Sequence, residues 1–160
     1  MNFSKNKKDW NYLLIVFFFS LTHPLATHAQ EKCRGPRIYL EEFTGTVYTE
    51  KDPSLNFLGG TGYWETKRED ILAAEALISR HLAKQAPAIH QKLKNYHRQY
   101  VGILFGKRRI VYSSFSCSPL REPNPECNFI VVKDGGDCYF QIYADLDRVE
   151  CFSFSVNGEA

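Results

Sequence analysis

Side chains that could bind a metal ion or act as a nucleophile are concentrated in one short segment, "KDGGDCYF", which begins at Lys133. Two aspartates, Asp134 and Asp137, and Cys138 surround two glycines, so the segment is a candidate metal loop or nucleophile. Calcium loops place oxygen ligands at alternate positions before a later glutamate, whereas these aspartates lie three residues apart. Aspartate at the start and glycine at positive φ are typical of a tight turn. We therefore predict a turn, with no metal site and no other cofactor.

A cysteine nucleophile needs a histidine base beside it. The candidates are His81, His90 and His97, and no motif pairs any of them with a cysteine. On a helical wheel His90 and His97 share one flank of an apolar stripe near Lys94, an arrangement that also suits a phosphate or a weak metal pair. We predict no catalytic residue, and the sequence favours a protein that is not an enzyme. A small hydrolase that uses these histidines is the alternative.

The glycine-rich segment "FLGGTGYW" precedes a predicted helix. Helix N-termini bind anions, but a phosphate loop ends in Gly-Lys-Ser/Thr, whereas Tyr63 and Trp64 follow Gly62 here. The segment is therefore interpreted as a connection. Its aromatic residues, Phe57, Tyr63 and Trp64, either pack over the helix start or form an exposed binding patch, and they are our candidate binding residues.

The first 29 residues have the organisation of a signal peptide. A basic start is followed by about ten apolar residues and by small residues at Thr27 and Ala29. The apolar run is shorter than the roughly 20 residues that span a bilayer. We predict cleavage after Ala29 and a single mature domain, residues 30–160, that is periplasmic or secreted and not held in the membrane.

The mature part is electrically neutral. Removing the three basic residues and one acidic residue of the leader from the totals of 20 and 18 leaves 17 of each. Such a balance argues against non-specific nucleic-acid binding, which depends on many phosphate contacts. The segment Lys67–Arg109 is basic and the segment Ile110–Ala160 is acidic, which favours two faces that attract each other or a docking face for an acidic partner.

An exported domain of this size is expected to use its cysteines in disulfides. Strands that end at Ser116 and begin at Cys138 should be antiparallel neighbours, which predicts a Cys117–Cys138 bridge worth about 3 kcal/mol. Cys117–Cys127 is the rival pairing. The other cysteines, Cys33, Cys127 and Cys151, would supply a second bridge and one free thiol, and their spacing is not that of a zinc site.

Upstream, "RIYLEEFTGTVYTE" predicts one strand with a bulge at Gly45. Thr66 and Glu69 predict a capping box at the start of one long helix, bent near Pro87. Two helices that meet at Pro87 are the alternative. The apolar stripe that indicates this helix comprises Ile71, Ile78, Leu82, Ile89, Leu93, Tyr96 and Tyr100.

Downstream the apolar period changes to two, which predicts strands. "VGILF" and "RIVYSSFS" flank a turn, "CYFQIYAD" places Phe140 and Ile142 on one face, and "ECFSFSVNG" places Phe152, Phe154 and Val156 inward. Asn128–Val132 is predicted to form a further short strand. The order predicts an α+β fold in which one long helix packs on a curved antiparallel meander.

This order resembles the cystatin-like fold. The segments "RQYVGILFGKRRIVYSSF" and "DGGDCYFQIYADLDRVECFSFSVNGEA" are similar to an uncharacterised family of small exported bacterial proteins, a resemblance that implies a fold but no activity. Members of that group tend to have glycine near the final hairpin turn, where this chain has Val149. Cystatin-type inhibition would need a Gln-x-Val-x-Gly hairpin tip, an N-terminal glycine and a Pro-Trp pair. Gln99, Val101 and Gly102 miss that spacing, Gly35 suits the N-terminal part, and the chain contains no Pro-Trp pair.

These observations predict an exported binding module that recognises a protein or peptide of the cell envelope. An edge-bearing sheet and clustered aromatic residues suit such a role. Besides the small hydrolase, the alternative function is that of a protease inhibitor or an immunity-type inhibitor. Such an inhibitor would present the Cys117–Cys127 loop or "FLGGTGYW" to its target.

Overall fold

The computed structural model describes residues 37–39, 43–48, 53–117 and 128–158, all within one compact unit, Glu31–Ala160. They form an α+β fold of two helices and one sheet, as predicted at that level. The helices are α1, Arg68–Gln85, and α2, Pro87–Lys92. The strands are β1 Arg37–Tyr39, β2 Thr44–Tyr48, β3 Gly62–Tyr63, β4 His97–Phe105, β5 Arg108–Ser116, β6 Tyr139–Asp145 and β7 Glu150–Val156.

Strands β4 to β7 form the predicted antiparallel meander. The full order is β1-β2-β4-β5-β6-β7, and β3 pairs with the far half of β4 beyond β2. The β4–β5 hairpin turns at Gly106, whose φ is 65°. In β6, Phe140, Ile142 and Ala144 are fully buried, which confirms the predicted inward face.

The N-terminal strand prediction is wrong in two respects. The segment forms two strands, β1 and β2, joined as an antiparallel pair, and β2 runs parallel to β4. Gly45 is no bulge, since it pairs with Ile38 and Arg98 in register. A Cβ atom there would lie 2.5 Å from the Tyr100 ring, so glycine is required by close approach.

The helical segment divides at Ala86, which has φ −147° and ψ 64°, so the alternative of two helices is the one observed. A residue before proline is disfavoured in the α conformation, and Pro87 suits the first turn of a new helix because it has no N–H to leave unpaired. The stripe is buried from Ile71 to Leu93 as predicted. Tyr96 and Tyr100, also buried, lie beyond the helices, because β4 begins at His97.

Helix α1 begins one residue later than expected. Its N-cap is Lys67, whose N–H donates to the Asp70 carboxylate at 2.9 Å, so the Thr66–Glu69 capping box is wrong. Thr66 lies against Gly102 instead, and its buried hydroxyl has no hydrogen-bond partner among the described residues. Gly102 is in β4, where the Trp64 backbone leaves no room for a Cβ atom.

The predicted inward position of Phe154 in β7 is confirmed, whereas Phe152 and Cys151 lie on the faces opposite to those predicted, because the strand contains a bulge. Ser153 has a φ of 50°, and the register against β6 shifts between Gln141 and Tyr143. Cys151 and Phe154 therefore pack on the helix side, whereas Phe152 packs on the opposite side. A strict alternation cannot anticipate this shift, because one extra residue reverses the faces that follow it.

Both faces of the sheet carry buried apolar residues. The main core lies between the sheet and α1 and α2, and the outer core lies on the opposite face. Residues before β3 cover the outer core, since Leu55 and Leu58 are buried there. The outer core comprises Tyr48, Leu55, Leu58, Val101, Ile103, Ile110 and Tyr112.

The predicted Cys117–Cys138 disulfide is present, with Cα atoms 4.8 Å apart. The Cys117 N–H also donates to the Cys138 carbonyl at 2.9 Å. The preceding turn is confirmed, because Gly135 has a φ of 94° and a Cβ atom there would lie 2.5 Å from the Tyr139 ring. The segment Asn128–Val132 forms no strand, which corrects that prediction.

The β6–β7 turn is organised by one buried carboxylate. Asp145 is fully buried, accepts the N–H groups of Asp147 and Arg148 at 3.1 and 2.9 Å, and pairs with Arg108 at 2.7 Å. Val149 follows in the left-handed region with a φ of 59° and 62% exposure. This conformation is costly for a β-branched residue and natural for glycine.

We predict that Val149→Gly raises the free energy of unfolding by about 1 kcal/mol, because relief of a left-handed valine exceeds the entropic cost of glycine. Urea unfolding of the purified protein measures the difference. Val131→Gly is the control, since Val131 is similarly exposed at 59% but has no positive φ. It should lower stability, and a lower stability for Val149→Gly as well would contradict the prediction.

Candidate functional site

The three aromatic residues predicted to bind do not form one patch. Tyr63 is half-buried against the outer core and its hydroxyl donates to the Leu55 carbonyl at 2.9 Å. Trp64 packs against the main core, and its indole N–H donates to the Ile110 carbonyl at 3.1 Å. Phe57 alone is exposed, at 54%, and it lines a cleft on the sheet.

We call this concavity the sheet cleft. Its volume is about 290 Å³, and it lies on the face of the sheet opposite the helices. Its floor carries one polar side chain from each of four neighbouring strands, paired in register. This polar row comprises Gln99, Ser114, Gln141 and Ser155.

A segment of chain crosses the sheet cleft, and we call residues 128–134 the bridging segment. At one end the Gln99 amide donates to the Asn128 carbonyl and accepts the Ile130 N–H, both at 2.8 Å. At the other end Asn157 donates to the Val132 and Asp134 carbonyls at 2.6 and 3.2 Å. The Gln99 side chain thus binds a main-chain carbonyl and a main-chain N–H, as a neighbouring strand would.

The Gln141 amide lies in the same polar row but makes no hydrogen bond to any described residue. Three tyrosines, Tyr112, Tyr139 and Tyr143, wall the cleft. Burial raises the pKa of Tyr112, so its hydroxyl remains protonated. No charged side chain is among the described residues that line the cleft. A lining of this kind suits a ligand that carries uncharged hydrogen-bonding groups.

A second concavity, the helix cavity, lies between α1, α2 and the start of β4, with a volume of about 450 Å³. One wall is apolar and includes Leu72 and Ala76. The polar lining includes His90, whose Nε2 lies 3.0 Å from Ser79 Oγ. Of the histidines predicted as candidates, His97 and His81 are not among the lining residues, and His81 contacts the Phe154 ring instead.

The floor of the helix cavity is a buried charge cluster of Glu75, Arg98 and Tyr100. Glu75 Oε1 accepts the Tyr100 hydroxyl at 2.8 Å and lies 3.3 Å from Arg98 Nε. Arg98 also donates to the Leu93 and Tyr96 carbonyls at 2.9 and 2.7 Å. The side chains of Glu75 and Arg98 are only 9% and 2% exposed, so both charges are removed from water.

Burial dominates the proton affinity of this cluster. It raises the pKa of Glu75 above the usual 4.5, although Arg98 and the Tyr100 hydroxyl oppose the rise. It also raises the pKa of Tyr100, with the nearby Glu75 charge adding to the effect. A raised pKa means that the folded protein binds the Glu75 proton more tightly than the unfolded chain does.

We predict that Glu75 makes stability fall as pH rises from about 4.5 through its raised folded pKa, because unfolding releases its proton in that window. Glu75→Gln should lose this slope, so the advantage of the natural protein over the variant is larger at pH 4.5 than at pH 7.5. Urea unfolding at both pH values measures this. Glu69→Gln, at an exposed position of the same helix, is the control, and equal slopes for Glu75→Gln and the natural protein would contradict the prediction.

Cys151 is the free thiol among the described cysteines, and it is half-buried. Burial raises its pKa to about 11, which keeps it protonated and unreactive near neutral pH. The second bridge predicted among Cys33, Cys127 and Cys151 involves Cys33 and Cys127, which lie outside the described residues, as does Gly35.

The aspartates of the "KDGGDC" turn bind protein groups. Asp137 pairs with Lys92 at 3.6 Å, and its carbonyl accepts the Tyr96 hydroxyl at 2.7 Å. Nowhere in the described ranges do three or more His, Cys, Asp or Glu side chains come close enough to hold a metal ion. No helix in these ranges is both long and apolar enough to cross a membrane.

Sequence reasoning missed the polar row and the buried charge cluster. Gln141 and Ser155 alternate with apolar residues, a pattern that indicates a solvent-facing side, whereas Gln99 and Ser114 follow polar residues and carry no such signal. Only their cross-strand register brings them together. Searches among protein-family models, curated proteins and solved structures found no match to this chain.

Proposed function

We propose that the protein is an exported binding module whose sheet cleft takes an extended, uncharged peptide segment of a cell-envelope partner. The observation that carries this proposal is the Gln141 amide, which has no partner among the described residues and lies in one row with a Gln99 amide that already binds main-chain groups. An extended peptide that lies beside the bridging segment would meet the same chemistry.

The dimensions of the polar row support a peptide. Four strands span three intervals of about 4.8 Å, or about 14 Å, which matches roughly four residues of extended chain at about 3.4 Å each. Gln141 would bind the backbone, and Ser114 and Ser155 would supply further hydrogen bonds. The exposed Phe57 and Val131 would contact apolar side chains at the rim.

Two observations support the proposal that the protein is exported: the predicted leader and the presence of a disulfide. A disulfide such as Cys117–Cys138 persists in oxidising compartments, which supports a periplasmic or secreted location. The meander with helices on one face supports the proposed cystatin-like arrangement. The parallel pairing of β2 with β4 is a departure from an all-antiparallel version of it.

A cystatin-type inhibitor is a weaker alternative. Gln99, Val101 and Gly102 lie inside β4, paired with β5, and cannot be presented at a hairpin tip. The "FLGGTGYW" segment is bound to the sheet, since the Thr61 N–H donates to the Leu104 carbonyl at 2.7 Å. The other predicted inhibitory loop, Cys117–Cys127, falls mostly outside the described residues.

A hydrolase is favoured by one observation, the 3.0 Å contact between Ser79 and His90 in the helix cavity. The position of Ser79 argues against that role. Ser79 lies in the middle of α1, where the N–H groups of its own turn are used in helical hydrogen bonds. Those groups cannot form an oxyanion hole, so binding remains the better interpretation.

We predict that the protein purified from the envelope of an expressing bacterium begins at Gln30. Cleavage by signal peptidase after Ala29 removes the leader. Intact mass under non-reducing conditions and N-terminal sequencing check this, with the same chain carrying Ala29→Lys as the uncleaved control. Recovery of chains that begin at Met1 in the cytosol would contradict the export proposal.

We predict that uncharged peptides selected from a phage-displayed library of random dodecapeptides bind the sheet cleft. Gln141→Ala should weaken the selected peptide about tenfold or more, because two hydrogen bonds to the backbone are lost. Fluorescence anisotropy of the labelled peptide measures the dissociation constant.

Gln85→Ala is the matched control, because Gln85 is exposed at the end of α1 and is not among the residues that line the sheet cleft. Binding should be unchanged in this variant. Peptides that bind Gln141→Ala and the natural protein equally would place recognition elsewhere and overturn the assignment of the cleft.

A further inference from the structure

The helix cavity gathers three basic side chains at intervals of four residues. His90 is in α2, Lys94 is in the 3₁₀ turn that follows, and Arg98 is in β4, and all three line the cavity. The one acidic residue among the described lining residues is Glu75, whose Oε1 is already engaged by Arg98 and Tyr100. The cavity therefore carries an excess of basic groups.

Arg98 is committed to protein groups at the floor of this cavity. Its side chain is 2% exposed, its Nε forms the ion pair with Glu75 at 3.3 Å, and its guanidinium donates to the Leu93 and Tyr96 carbonyls. The Phe43 ring also lies over the guanidinium, with its centroid 3.9 Å from Cζ. His90 and the exposed Lys94 are therefore the basic groups of the lining that a ligand can reach.

Part of the cavity lining is apolar. It comprises Phe43, Leu72, Ala76 and Leu93, and Leu72 is 44% exposed on α1. A hydrated inorganic anion gains nothing from such a lining, whereas a ligand with an apolar body does. The volume of about 450 Å³ is within the range of small-ligand sites.

We infer that the helix cavity binds a small organic anion with an apolar body, a monocarboxylate. Its carboxylate meets Lys94 and His90, and its apolar body lies against Leu72 and Ala76. The contact from Ser79 to His90 holds the imidazole ring in the lining. This site is on the opposite face of the sheet from the proposed peptide cleft and stands independently of it.

The test is an NMR titration of the ¹⁵N-labelled, purified protein with octanoate, with 1-octanol and with inorganic phosphate. Octanoate should shift the amide signals of Ser79, His90 and Lys94 and leave that of Gln141 in place. It should bind about tenfold more tightly than octanol, because an ionised carboxylate forms the stronger hydrogen bonds. Phosphate should not compete.

Two variants separate the site from a general apolar surface. Ala76→Glu adds a second carboxylate to the cavity lining and should abolish octanoate binding. Ala73→Glu makes the same change at an exposed position of α1 that does not line the cavity, and it should bind as the natural protein does. Lys94→Gln should weaken octanoate several-fold, whereas Lys84→Gln should not.

Any of three results would overturn the inference: equal affinity for octanol and octanoate, competition by phosphate at equal concentration, or octanoate shifts confined to the sheet cleft. Undiminished binding to a folded Ala76→Glu variant would do so as well. Circular dichroism checks the fold of that variant, and if it is unfolded, unchanged binding by Lys94→Gln is the deciding negative result.

Discussion

The ion pair between Glu75 and Arg98 is the constraint on which the rest of the structure depends. Two charges removed from water must satisfy each other, because either one alone would carry a large desolvation cost. Glu75 belongs to α1 and Arg98 to β4, so their contact joins the helical layer to the sheet. Arg98 also binds the carbonyls of Leu93 and Tyr96, which fixes the corner where the helical segment becomes a strand. The Tyr100 hydroxyl completes the cluster.

This corner determines what lies on each face of the sheet. With α1 and α2 held over one face, side chains such as Tyr100 and Phe140 enter the main core. The intervening residues of the same strands, including Gln99 and Gln141, must then face the other way. The opposite face is covered only in part, by the residues before β3 and by the bridging segment. What remains open between them is the sheet cleft, so its position follows from where the helices are anchored.

Prediction from the sequence succeeded where the determining contacts were short in range. The β4–β5 hairpin, the inward face of β6 and the Asp134–Asp137 turn each depend on a few neighbouring residues. The Cys117–Cys138 bridge followed because the ends of adjacent meander strands must lie side by side. Prediction failed where an unexpected local conformation intervened, as with Ser153, whose positive φ reverses the faces of β7. The helix was also predicted to extend too far, because Tyr96 and Tyr100 fit the helical spacing of apolar residues although both lie beyond α2.

By itself, then, the sequence determined the α+β class, the meander and one disulfide, since periodicity and chain connection are local properties. It also predicted an exported domain from the pattern of its first residues. Only the tertiary structure decided which polar residues are buried and which meet. Gln99 and Gln141 are 42 residues apart in sequence yet occupy one row, because β5 pairs in register with both of their strands. Glu75 and Arg98 meet only because a helix crosses a strand, a geometry that no local pattern encodes.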